Sequence, residues 1–422
     1  MIFLQNGIYI DPTTLEFSDT NILVEEGPAG GLRMVLPGAV APPGAKIIDC
    51  SGRYITKSFA NGHHHAYSAL ARGMPSPRTG PRNFTEILRY VWWNLDRALD
   101  PDMIRVSALV TAMACAKSGV TFVIDHHASP NAVDGSLEII AEAFDAVGVG
   151  HLLCYEISDR DGESIAAAGL AETERHLANR PGLVGLHASF TVGDETMRKA
   201  VGLAERYGTG IHIHVAEDRA DQDHCLHHYG TRVVHRLERS GVLHFPGTIL
   251  AHCLHLDEDE RRVVSESPAW VVCNMESNLN NRVGLFNPAG LGGQIMLGTD
   301  GMHSDMLRSA QASFFARHPD DPADYPGAYR NFRQVHRYLA ENGARGDGDN
   351  NLVVLNYDTP TPLTPENFYG HFLFGLSPLH VEHVIANGRL IVEGGRITTV
   401  EEPAVLQESR KQAIHLWRRL QA

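Results

Sequence analysis

Four short stretches, Gly62-His63-His64-His65, His214-Val215-Ala216-Glu217, Ala251-His252-Cys253 and Gly298-Thr299-Asp300-Gly301, each close an apolar run rich in β-branched residues. Each therefore reads as the tip of a strand. Imidazoles and carboxylates gathered at strand tips form a donor set for a borderline divalent metal such as zinc. Groups this distant in sequence meet if the strands run parallel and close into a barrel, because the strand ends then share one mouth. The pattern predicts a metal-dependent hydrolase.

The intervening sequence supports that geometry. Across residues 56–345, apolar strands alternate with amphipathic helices, the texture of a parallel α/β fold. Eight strands are expected to finish near His65, His126, Glu156, His187, Glu217, His252, Ser277 and Asp300. Helices are expected over 103–118, 135–146, 164–179, 194–207 and 219–240. The sum is a (β/α)8 TIM-like barrel. Residues 1–55 and 346–400 show short alternating segments broken by turn residues, with Asn387-Gly388 and Gly394-Gly395 marking hairpins. The two ends are expected to build one small composite β-sandwich, followed by a C-terminal helix over 401–422.

Composition narrows the partners. A formal net charge of −14 disfavours nucleic acid and anionic membranes, which need basic patches. No apolar run is long enough to cross a bilayer, and no basic-then-apolar leader opens the chain, so a cytoplasmic location is expected. The six cysteines are scattered without a CxxC pair and read as reduced thiols. Most of the 24 histidines must be ordinary residues, because one mononuclear site uses only three or four. His224, His227 and His228 read as a solvated helix face.

Within the motifs, His63 and His65 stand two apart on a strand and so emerge on one face, with His64 turned away. The same spacing returns in His212 and His214; His214 lies nearer the strand end and is the ligand candidate, while His212 lies deeper. Glu217, just past the strand, is suited to shuttling a proton near a metal. His126 and His127 end the second strand and are candidates to shape the pocket. Around the mouth, Arg72, Trp92, Trp93, Glu156, Ser277, Asn278, His303 and Asp305 are further candidates, and Arg72, Glu156 and Arg160 are equally readable as a buried ion pair.

The motifs Gly-His-x-His, His-x-Ala-Glu, Ala-His-Cys and Leu-Gly-Thr-Asp-Gly, in this order, resemble those of the amidohydrolase superfamily, in its cytosine deaminase and chlorohydrolase-like branch. The segments from Tyr67 to Gly73, Cys154 to Arg160 and Asn367 to His371 are more similar still to SsnA-type aminohydrolases. One departure is Lys57-Ser58, where many relatives carry Pro-Gly; it touches strand entry rather than ligands. The resemblance implies a metal held by His63, His65, His214 and Asp300. It further implies Glu217 and His252 as the proton-handling pair, with Asp300 assisting, and His187 facing substrate, beside His126, Arg72 and His303. Binuclear relatives bridge two metals with a carboxylated lysine at the fourth strand's end, where this chain has no lysine. One divalent ion is therefore expected, zinc or, as the alternative, ferrous iron.

The activity implied is that of an aminohydrolase, a deaminase in which metal-activated water attacks a C–N centre of a small nitrogen heterocycle. Chloride release or cyclic-amide opening would use the same site, and a non-catalytic metal-binding homologue is the remaining alternative. The implied partners are the heterocyclic substrate and a second copy of the chain, as a dimer.

Overall fold

The computed structural model describes residues 1–319 and 323–421. The chain opens with β1 (Ile2–Ile10), β2 (Phe17–Val24), β3 (Leu32–Val35), β4 (Lys46–Asp49) and β5 (Tyr54–Lys57). The barrel strands follow: β6 (Phe59–His64), β7 (Val120–His127), β8 (Gly150–Tyr155), β9 (Val184–Ala188), β10 (Ile211–Val215), β11 (Ile249–His252), β12 (Trp270–Cys273) and β13 (Ile295–Leu297). Four strands complete the set: β14 (Leu352–Leu355), β15 (Val381–Ala386), β16 (Arg389–Glu393) and β17 (Arg396–Ile397).

Strands β6–β13 are parallel and lie in two arcs, β6-β7-β8 and β9-β10-β11-β12-β13. Isolated parallel bridges join the arcs: Leu153 with Gly182 and Ile157 with Leu186 at one seam, His64 with Asp300 at the other. Nearly every residue of these strands is buried, because helices cover the outside and side chains fill the inside. Alternation sorts the two faces. Phe122, Ile124, Ile249, Trp270, Val272 and Met296 form an inner core, closed by Tyr338, whose hydroxyl donates to the Gly247 carbonyl at 2.8 Å. In β10, Ile211, Ile213 and Val215 pack outward against the larger core, which leaves His212 and His214 inside.

The two chain ends share one nine-stranded sheet, in the order β17-β16-β15-β14-β5-β1-β2-β3. It branches at β1, whose second edge pairs with β4 over Ile2–Gln5 and with β5 over Ile8–Tyr9. The leaves of the expected sandwich are thus continuous through β1, around a separate core that includes Ile22, Ile55, Val354 and Ile385. Asn387 and Gly388 turn β15 into β16 with φ of 49° and 72°, the doubly left-handed turn this pair favours.

Two expectations need correction. The stretch 219–240 is not one helix: it breaks at Gly230, whose φ of 64° caps the helix Arg219–Tyr229 before Val233–Arg239 begins. Ser277 does not end a strand either, since β12 stops at Cys273 and Ser277 lies in the helix Met275–Asn281. The C-terminal helix spans Glu402–Gln421. Among the described residues, no helix is long and apolar enough to cross a membrane.

Candidate active site

The barrel seam between β13 and β6 is also where the metal-type donors converge. The backbone N–H groups of Thr299 and Asp300 both donate to the His63 carbonyl, each at 3.0 Å. This binds the turn after β13 to β6 and sets Asp300 beside the histidines. His63 Nδ1 lies 2.8 Å from His212 Nε2, so the deeper histidine orients the one above it. His65 Nδ1 donates to the His126 carbonyl at 2.6 Å, and His214 Nδ1 to the His187 carbonyl at 2.9 Å. Each of the three imidazoles thus uses Nδ1 for support and presents Nε2 to a common space. His65 Nε2 stands 3.3 Å from His214 Nε2 and 3.1 Å from Asp300 Oδ1, and His63 Nε2 stands 3.7 Å from the same carboxylate oxygen.

These residues fit a metal ion. His63 Nε2 is fully buried with no hydrogen-bond partner among the described residues, which is costly for a ring nitrogen unless something binds there. Burial first, then neighbouring imidazoles, hold His63 and His214 well below the usual histidine range, in the neutral form that ligates metals. Burial alone would raise Asp300, but hydrogen-bonded His65 and the other imidazoles hold it well below the carboxylate range. Burial likewise opposes protonation of His65, yet Asp300 overrides it and lifts that ring to about 9. The corner attracts positive charge.

Beside this cluster stand the two proton-handling candidates. Glu217 Oε2 lies 3.5 Å from His252 Nε2, while Glu217 Oε1 accepts from Asn281 Nδ2 at 3.1 Å. Burial pushes the Glu217 carboxyl up, favouring its protonated form. His252 Nδ1 donates to Asn278 Oδ1 at 2.8 Å, which leaves the lone pair on Nε2, 3.7 Å from Asp300 Oδ2. Three strand ends here carry non-glycine residues in the left-handed region: Ala216 (φ 44°), His252 (73°) with Cys253 (53°), and Asp300 (52°). Backbone strain of this kind persists where the surroundings fix a functional side chain.

A cavity of about 50 Å³ opens onto these groups. His187 lines it and bonds Thr191 Oγ1 through Nδ1 at 2.6 Å; burial depresses this ring to about 3, so it stays neutral. Phe84, Leu88, Trp92 and Trp93 provide an apolar wall from the segment between β6 and β7. Glu156 and Ser277 line the same cavity, whereas His126, Arg72 and His303 are placed elsewhere. His126 is fully buried behind the cluster, 3.3 Å from Glu156 Oε2 and 3.2 Å from the Leu186 carbonyl. Arg72 and His303 line a separate chamber of about 570 Å³, with Trp92 bordering both spaces, and His303 bonds Glu276. Of the three residues readable as an ion pair, Glu156 and Arg160 meet at 3.0 Å and Arg72 takes no part. The sequence reading missed Asn281 and Asp96. Asn281 was within reach, since Asn278-x-x-Asn281 puts two amides on one helix face; Asp96 carries no local signal.

A sequence profile of the amidohydrolase family matches residues 54–345. The chain belongs to the amidohydrolase family. This amidohydrolase is 25% identical to a 5-methylthioadenosine/S-adenosylhomocysteine deaminase of Desulforudis audaxviator, over 99% of both chains. It is 26% identical to a 5′-deoxyadenosine deaminase of Methanopyrus kandleri, over 86% of each. A zinc-bound adenosine deaminase from Xanthomonas campestris shares its fold with a TM-score of 0.84, at 19% identity over 100% of this chain and 98% of that one. An atrazine chlorohydrolase from Arthrobacter aurescens, complexed with zinc, aligns with a TM-score of 0.80 at 18% identity, over 98% of this chain and 100% of its own.

Proposed function

We propose that this amidohydrolase is a deaminase that releases ammonia from an amino-substituted nitrogen heterocycle, with adenine-type nucleosides the first class to test. The observation that carries the reading is the row Glu217, His252 and Asp300, linked at 3.5 and 3.7 Å beside the three imidazoles. Holding a metal does not require Glu217, whereas expelling an amine does require a proton donor. The relatives named for adenosine-type deamination supply the substrate class.

We assign His63, His65, His214 and Asp300 as ligands of a single zinc ion. The ion supplies an activated water as the nucleophile. In this reading Asp300 and His252 take up the proton that water gives off, and the Asn278 hydrogen bond supports it by keeping His252 Nε2 free. Burial raises the Glu217 pKa and so favours the protonated carboxyl, and Asn281 fixes that carboxyl by its other oxygen. Delivered to the ring nitrogen next to the attacked carbon, that proton neutralises the charge that builds as the tetrahedral centre forms. Collapse with a second proton transfer expels ammonia. The apolar wall of Phe84, Leu88, Trp92 and Trp93 suits a flat ring.

The decisive assay measures ammonia from adenosine, 5′-deoxyadenosine, methylthioadenosine and guanine, with metal content determined in parallel. Glu217→Gln is expected to lower turnover by ~10²–10⁴-fold with zinc retained, the usual range for a general acid–base group. Near-normal turnover by that variant removes Glu217 from the mechanism. Chloride from a chlorotriazine, or a ring-opened acid from a cyclic amide, would instead identify the alternative reactions at the same site. We also expect a dimer, which sedimentation equilibrium reads directly.

A further inference from the structure

One group of histidines lies outside the barrel mouth and takes no part in the proposed chemistry. The helix Arg219–Tyr229 begins just after Glu217 and carries the run Asp223-His224-Cys225-Leu226-His227-His228. Its inner face anchors it. Asp221 accepts from the N–H groups of Ala216 and Phe190 at 2.9 and 3.1 Å, Gln222 Nε2 donates to the Glu260 carboxylate, and Cys225 is fully buried. On the other side His224 is half-buried, and Asp223, His227 and His228 are exposed.

His224 and His228 are four residues apart, so their side chains lie one above the other on the helix. Their rings stack with centroids 3.9 Å apart and planes 19° from parallel, and the His227 ring lies 4.8 Å from that of His228. His228 Nδ1 donates to the His224 carbonyl at 3.0 Å, which leaves the lone pair of the neutral ring on Nε2. His224 Nδ1 is buried with no hydrogen-bond partner among the described residues, a costly state for a ring nitrogen. Each ring of the stack therefore keeps a nitrogen that the protein does not use. Burial first, then His228, Arg236 and His227, holds His224 below the usual histidine range, in the form that has a lone pair to give. Arg236 is itself paired with Asp194 at 2.8 Å. Two imidazoles four residues apart on one helix face are the ligand pair of helical zinc sites, and imidazole suits copper and nickel equally.

We propose that His224 and His228 form a second metal site, on the outer face of this helix, for a borderline divalent transition ion such as copper, nickel or zinc. Asp223 and His227 repeat the four-residue step alongside and border the site. Among the described residues, sets of three converging donors occur only in the barrel mouth, so the ion on the helix has two protein ligands and takes water in its remaining positions. The site is independent of the catalytic ion and of the deaminase reading. It exists only while the helix is folded, because the pair converges only at helical spacing.

The test loads the barrel mouth with zinc, titrates the protein with Ni²⁺ by calorimetry, and counts both metals by mass spectrometry after equilibrium dialysis. The wild type is expected to bind one nickel ion beyond its zinc and to keep that zinc. Cu²⁺ should bind more tightly than Ni²⁺, the order imidazole ligands impose. His224→Asn and His228→Asn should each weaken nickel binding by about tenfold or more, because the second imidazole no longer acts intramolecularly. His227→Asn should weaken it less than either. His415→Asn is the control and should change nothing: His415 is exposed on the C-terminal helix, with Lys411 and Arg419 one turn to either side. His228 is exposed, so its replacement tests the site even if His224→Asn fails to fold. No nickel beyond the zinc, nickel that only displaces zinc, full binding by His228→Asn, or an equal loss in His415→Asn would each overturn the proposal.

Discussion

Gly298 is the position where the smallest added group should do the most damage to the metal site. It follows the last residue of β13, and its N–H donates to the Cys273 carbonyl at 3.0 Å. A Cβ built there would stand 2.9 Å from both His63 Cβ and the His63 carbonyl oxygen, and 2.5 Å from Asn274 Oδ1. Ordinary contact begins at 3.4 Å, so at least half an ångström must be found. The Asn274 side chain has no hydrogen-bond partner among the described residues and can swing aside. His63 cannot, because its carbonyl is held by the N–H groups of Thr299 and Asp300. Either β6 or the turn carrying Asp300 must therefore move, and both carry proposed ligands.

Overpacking of this kind typically costs ~1–3 kcal/mol. Metal–ligand distances tolerate only about 0.2 Å, and disturbing the support of a ligand typically lowers metal affinity by ~10–100-fold. Gly298→Ala should thus show both effects: a lower melting temperature after chelator treatment, and weaker zinc binding in competition with a chromophoric chelator. Gly293→Ala, where an added Cβ meets nothing within 4 Å, is the matched control and should behave as wild type. A Gly298→Ala protein with unchanged zinc affinity and melting temperature would refute the claim that barrel closure positions the metal site.

Asn278→Ala removes the acceptor that holds His252 Nδ1–H, and kcat should fall about tenfold with metal content unchanged; unchanged kcat would mean that this hydrogen bond does not set the active tautomer. Acid should destabilise the chelator-treated protein, because burial depresses His127 and His176 to about 4. Between pH 6.5 and 4 the unfolded chain binds protons that the folded one refuses, so stability is complete above the unfolded value and is lost as pH falls. For fully buried His127 the loss from pH 7 to 5 is about 2 kcal/mol. Urea midpoints at the two pH values measure the loss, His176→Asn should reduce the slope, and a flat profile contradicts the burial argument.

Part of this protein is determined by local sequence alone. Parallel strands covered on both faces must be apolar almost throughout, so eight apolar runs identify the barrel strands before any contact is known, although the seventh stops at Cys273, short of Ser277. Strand periodicity of two then fixes which histidines share a side, as in His212 and His214 against Ile211 and Ile213. Asn387-Gly388 sets its own turn by backbone preference. Such features depend on neighbours a few residues apart, and those neighbours are visible in the chain.

Tertiary structure decided the rest. Arg72 and Arg160 are equally basic in sequence, yet packing of the segment between β6 and β7 buries Arg160 between Asp96 and Glu156 and leaves Arg72 in another chamber. His126 and His187 both sit at strand ends; the stagger between neighbouring strands turns one behind the metal cluster and the other into the cavity. Branching of the terminal sheet at β1 likewise follows from which distant strands find its free edge. Periodicity assigns a side chain to a face, but only the relative shift and closure of strands remote in sequence determine what that face meets.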